Sequence, residues 1–143
     1  MTGDVVASAV QLACLLEASA PKPGNVSPGR PFRDMGFDDY LASAAAIGPA
    51  FTRVGERDLG GTILEAVQAT RRWTRANTNL GIVLLAAPIA RAAARGGPLR
   101  EGVRREVVGS TVEDALALLL AARQASRPGD GTLRELIDDG RSR

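Results

Sequence analysis

The chain has 143 residues, of which 45% are hydrophobic but only 3% aromatic, and a net charge of +2. It contains no histidine and one cysteine, Cys14. That excludes imidazole acid–base chemistry, Ser–His–Asp and Cys–His catalysis, histidine- or thiolate-built metal sites and an intrachain disulfide.

The length suits one domain with one core, and a core short of aromatics favours closely packed helices over a sheet. Val6, Ala9, Val10, Ala13, Leu16 and Glu17 recur at helical spacing and predict a first helix over residues 4–19. Pro21 and Pro23 end it. Residues 20–36 hold four prolines and three glycines and predict a long irregular loop, a feature that in a small domain usually carries function. A second helix is expected over residues 38–53, where Ala42, Ser43, Ala45 and Ala46 permit close approach. After a glycine-containing turn, Thr62 and Glu65 fit a capping box that would open a third helix reaching residue 75. The next should begin at Asn77 or Thr78, kink at Pro88 and stop at Gly96-Gly97-Pro98. A short helix over 99–108 follows. Capping boxes at Ser110–Glu113 and Thr132–Glu135 would open a helix to residue 125 and a brief last one. Nothing alternates as a strand does. The expectation is an all-α, compact bundle of six to seven helices, one domain over 1–143, with a long functional loop after helix 1.

The longest apolar run, residues 80–90, is far short of the ~20 residues of a membrane span. The N-terminus lacks a basic secretory region. A cytoplasmic protein without a membrane partner is expected. The arginines are scattered among acids or paired, as at Arg71-Arg72 and Arg104-Arg105, with no aromatic-interleaved basic stripe. Nucleic acid is therefore not expected as a partner. Cys14 lies in an apolar helical stretch and reads as core.

The only lysine and all three asparagines fall in two short segments, Pro21–Pro28 and Asn77–Gly81. Two prolines stiffen the chain around Lys22, Gly24 can take positive φ, and Asn25 offers a paired donor and acceptor. This is the shape of a phosphate cradle; the bland reading is a stiff, solvated loop. At a helix start, Asn77 or Thr78 would cap, leaving Asn79 free to reach a ligand, with Gly81 beside it. Acids that could join them are Glu17, Asp34, Asp38, Asp39, Glu65 and Asp114. Glu17, in the last turn of its helix, opposes the dipole and needs compensation from Lys22 or a ligand-bound Mg²⁺. Any metal must be a hard ion on oxygen ligands, with Mg²⁺ carried in by phosphates the best fit.

In these residues the sequence resembles the triphosphoribosyl-dephospho-CoA synthase family. The shared elements, in order, are Glu17, the Pro21–Val26 loop, Asp34-Met35, Tyr40 with Ser43, Glu65, and Asn77-Thr78-Asn79-Leu80-Gly81. A weaker likeness runs from Ser110 through Gly131. The resemblance implies an all-α fold and transfer of a triphosphoribosyl group from ATP to dephospho-CoA or a related acceptor, with release of adenine. It implies phosphate or nucleotide binding by Lys22, Gly24, Asn25, Ser43, Asn77, Thr78, Asn79 and Gly81. Asp34 and Glu65 would be catalytic, and Glu17, Asp34 and Glu65 would bind Mg²⁺ brought with ATP. The chain departs from the family pattern in carrying Asn79 and Leu80 for a His-Lys pair, Phe32 for a histidine, and residues 71–76 for glycines. The likeness covers the family's N-terminal half, which implies a homo-oligomer or a second subunit completing the bundle. The alternative is a non-catalytic truncated homologue serving as a nucleotide-binding or oligomerising helical module.

Overall fold

The computed structural model describes residues 1–126. Its helices are α1 Gly3–Ser19, α2 Phe37–Ala46, α3 Gly48–Thr52, α4 Leu59–Arg71, α5 Leu80–Arg95, α6 Leu99–Val108 and α7 Val112–Ala125, with no strand among the described residues. The all-α bundle expected from composition is what forms. The brief helix expected at Thr132 lies outside the described residues.

α1 buries Val6, Ala7, Val10, Cys14 and Ala18, the three-to-four spacing of one helical face. These pack with Ile47, Phe51, Val54, Ile63, Ala66, Val67, Val83 and Ala87 into one core. Phe51, fully buried, is its one large aromatic. Cys14 belongs to this core, and its thiol pKa is raised to about 11, first by burial and then by the charge of Glu17.

The single helix expected over 38–53 is two. α2 ends at Ala46, and α3 begins at Gly48 with Pro49 in its first turn. Proline has no N–H to give the carbonyl four residues back. That carbonyl, on Ala45, instead accepts the Gln11 side-chain amide at 2.9 Å, so α1 satisfies the group freed by the break.

Two capping assignments also differ from expectation. α4 begins at Leu59, capped by Asp58, whose carboxylate accepts from Gly61 N at 2.5 Å. Thr62 is already inside the helix, fully buried, its hydroxyl bonded to Asp58 O at 3.0 Å. At α7 the box is Thr111 with Asp114, one residue beyond the expected pair. Asp114 wins because it is buried and reaches across to α4, accepting from Gly60 N at 2.7 Å as well as from Thr111 N at 2.9 Å. α5 continues through Pro88.

α4 is the central element, packed against α2, α3, α5 and α7. Its approach to α7 is possible because residue 60 is glycine. A Cβ there would lie 2.6 Å from the Asp114 backbone and 2.9 Å from Ala117 Cβ.

Candidate functional site

The loop joining α1 to α2 is folded rather than loose. Val26 and Ser27 are buried and pin its middle to the bundle. Asn25 N donates to Lys22 O at 3.3 Å across a turn in which Gly24 takes φ +70°. Ser27 and Arg30 exchange backbone hydrogen bonds of 3.4 and 2.8 Å around Gly29, at φ +76°. A non-glycine side chain would be strained at either glycine.

This loop walls a cleft of about 600 Å³, lined by Lys22, Gly24, Asn25, Arg30, Phe32 and Arg33 among others, with no carboxylate in the lining. Three cations thus face one opening. Arg30 and Arg33 were not singled out from the sequence, because arginine is the background cation of this chain. The usable signal was their place in the same proline- and glycine-bounded loop as Lys22. Lys22 forms an ion pair with Glu17, which provides the compensation expected for an acid in the last turn of α1.

Asn25 joins the loop to α2. Its Oδ1 accepts from the Tyr40 hydroxyl at 3.4 Å. Its Nδ2 is buried and has no partner among the described residues. Exchanging the amide oxygen and nitrogen would still leave one of them unpaired, since the tyrosine hydroxyl can donate or accept. The Tyr40 pKa is raised by burial, then by Glu17, then by Asp39.

The second polar segment lies behind Tyr40, where α2, the end of α4 and the start of α5 meet. Ser43 Oγ donates to Asp39 O at 2.6 Å, and Thr78 Oγ1 lies 2.5 Å from the same hydroxyl. Ser43 has one proton, so Thr78 is the donor of that pair. Thr74 Oγ1 donates to Asp39 Oδ1 at 2.7 Å, and Gly36 N donates to Asp39 Oδ2 at 2.8 Å. Helix α5 opens later than expected: its N-cap position is Asn79, with no side-chain cap, and Asn77, two residues earlier, accepts from Leu80 N through Oδ1 at 3.4 Å. Asn79 is not free to reach out. It is 4% exposed and its amide donates to Thr70 Oγ1 at 3.0 Å. The backbone turns it inward, toward the last turn of α4. Gly81, next to it, is exposed with open space around it.

The two segments are thus linked through Tyr40, Asp39 and Ser43, with no direct hydrogen bond between them among the described residues. The acids behave differently from one another. Asp34 is exposed and has no ion-pair or hydrogen-bond partner among the described residues. Glu65 is held by Arg53 at 3.0 Å and Arg57 at 2.5 Å, where it ties the α3–α4 connection to α4. Glu17, Asp34 and Glu65 therefore engage different surroundings and do not form one ligand set. Among the described residues no group of three or more acidic or cysteine side chains converges as a metal site.

Fold and cleft together define an all-α protein with a preformed cationic loop cleft backed by a buried hydroxyl and amide network. The CitG family model, ATP:dephospho-CoA triphosphoribosyl transferase, matches residues 4–142, and the chain belongs to that family. No curated protein and no solved structure gives a significant match. Among the described residues no single helix is long and apolar enough to cross a membrane.

Proposed function

We propose that this chain transfers the triphosphoribosyl group of ATP to a ribose hydroxyl of dephospho-CoA or a related acceptor. In that reaction the acceptor oxygen bonds C1′ of the ATP ribose, the C1′–N9 bond breaks, and adenine leaves with the bonding electrons and takes up a proton. The observation that carries the reading is the family match over residues 4–142. A cleft holding three cations and an unpaired buried amide supports it.

Lys22, Arg30 and Arg33 take the triphosphate, aided by the loop backbone around Gly24. Asn25 Nδ2 donates to a ligand oxygen. Asp34, the unpartnered carboxylate of the loop, accepts the hydroxyl proton or faces the oxocarbenium-like centre. Glu65, between two guanidinium groups, fits a structural role better than either of these. Ser43, Asn77, Thr78, Asn79 and Gly81 hold the wall behind Tyr40 and position the loop. The acids present do not fit a resident Mg²⁺ cage. Mg²⁺ enters with the ATP phosphates, as part of the substrate, and needs at most one or two carboxylates from the protein.

The assay is chromatographic detection of adenine from ATP plus dephospho-CoA, beside calorimetry with ATP. Lys22→Ala removes a charge-assisted contact worth about 1.5–3 kcal/mol, so ATP affinity falls roughly 10- to 100-fold while the fold persists. No adenine release together with no ATP binding at millimolar ligand sinks the proposal.

A second reading, an oligomerising helical module, is favoured by α7. Val112, Leu116, Leu119 and Leu120 are 72, 56, 63 and 50% exposed and share one helical stripe. Leu116→Glu with Leu119→Glu is expected to convert an oligomer to a monomer in sedimentation. A wild-type chain that stays monomeric at high concentration discards this reading.

A further inference from the structure

A second cavity, about 320 Å³, opens between α5, α6 and the start of α7. It sits at the α4 start and the α5 end. It shares no lining residue with the loop cleft and is separate from it. Asp58, Arg91, Arg95, Arg105, Glu106 and Asp114 line it.

Its acids are all engaged within the protein. Asp58 caps α4 through Gly61 N. Asp114 accepts from Gly60 N and Thr111 N. Glu106 is bridged by Arg91 Nε at 2.7 Å and by Arg95 Nη1 at 3.0 Å. Both helix starts at the rim are therefore already capped and offer no anion site of their own.

The arginines are not saturated. A guanidinium carries five N–H donors. Arg91, with 11% of its side chain exposed, is ion-paired with Glu106 through Nε, although that N–H makes no hydrogen bond among the described residues. Its Nη1 is buried and has no partner among the described residues. Arg95 gives only Nη1, and its side chain is half exposed at the cavity mouth. Arg105 has no ion-pair partner among the described residues. A buried N–H without an acceptor is costly, and the planar guanidinium fork matches tetrahedral oxyanions better than single-oxygen acceptors.

We propose that this cavity is a second anion site. It takes a phosphate group, free or as the end of a larger metabolite, on the open N–H groups of Arg91, with Arg95 and Arg105 at its mouth.

The probe is inorganic phosphate, with glycerol phosphate as a phosphomonoester, each measured by calorimetry and thermal unfolding against chloride at equal ionic strength. The variant is Arg95→Gln with Arg105→Gln, which keeps the buried Arg91–Glu106 pair and so keeps the fold. Lys22→Ala reports on the loop cleft. At tenfold excess over Kd, phosphate is expected to raise Tm by about 3–6 °C. The double variant should lose most of that shift, and Lys22→Ala should retain it. Equal or tighter binding of the ester identifies a metabolite terminus, and preference for inorganic phosphate identifies the free ion. A shift that chloride reproduces, that the double variant keeps, or that Lys22→Ala removes overturns the proposal.

Discussion

Asp114 shows how a single side chain holds several elements. Burial raises its pKa, but hydrogen bonds from Gly60, from the Thr111 backbone and from the Thr111 hydroxyl, with Arg91 nearby, bring it below the usual carboxylate range. A carboxyl that is harder to protonate folded than unfolded contributes stability above its unfolded pKa, about 3.9. That contribution is lost as pH falls through the lower, folded pKa. Asp114→Asn is therefore expected to cost about 1–3 kcal/mol near neutrality, with the gap to wild type closing below about pH 4. Urea titrations at several pH values measure it, and a gap that stays constant through acid would refute the account. At this scale the sequence was partly legible. Lys22 and Asn25 stand out by type alone and do line the cleft. Arg30 and Arg33 do not stand out by type. The inward turn of Asn79 depends on Thr70, nine residues away, which no local pattern announces.

Among the elements, local sequence reading located α1 by its helical spacing and α5, α6 and α7 by their start and stop signals, within a few residues. It failed where two local signals competed. Thr62–Glu65 and Asp58–Gly61 both have capping spacing; Asp58 prevails, and Arg53 and Arg57 draw Glu65 away. The break at Pro49 was hidden by the small residues around it, which suit a helix on either side. The α4–α7 contact turns on a glycine, and it gives a paired prediction. Alanine at position 60 improves helix propensity by about 1 kcal/mol yet drives a Cβ into the Asp114 backbone, which cannot yield as a side chain would. The net effect of Gly60→Ala is a loss of about 1–3 kcal/mol. Gly81, also helical but in open space, should gain about 0.5–1 kcal/mol on the same change. Chemical denaturation of the two variants decides it: similar effects would mean that the close approach is not what residue 60 provides.

Across the whole molecule, fold class was the most legible property, since a chain with so few aromatics must build its core from alanine and branched aliphatics. What single-sequence reading could not give was which helix lies at the centre. α4 packs on four partners, whereas α6 packs chiefly on α5 and buries only Gly102 of its ten residues. Solvent therefore has very unequal routes to the backbone. The amides of α4 can meet water only when α2, α3, α5 and α7 have all let go, so their exchange with deuterium should report global unfolding. Those of α6 need one neighbour to lift and should exchange by local opening, orders of magnitude sooner. Equal protection of the two helices in a mass-resolved exchange experiment would contradict this. An unfolding reaction with such an order retains α4 longest, and it makes α6, which forms one wall of the second cavity, the part of the bundle most easily opened.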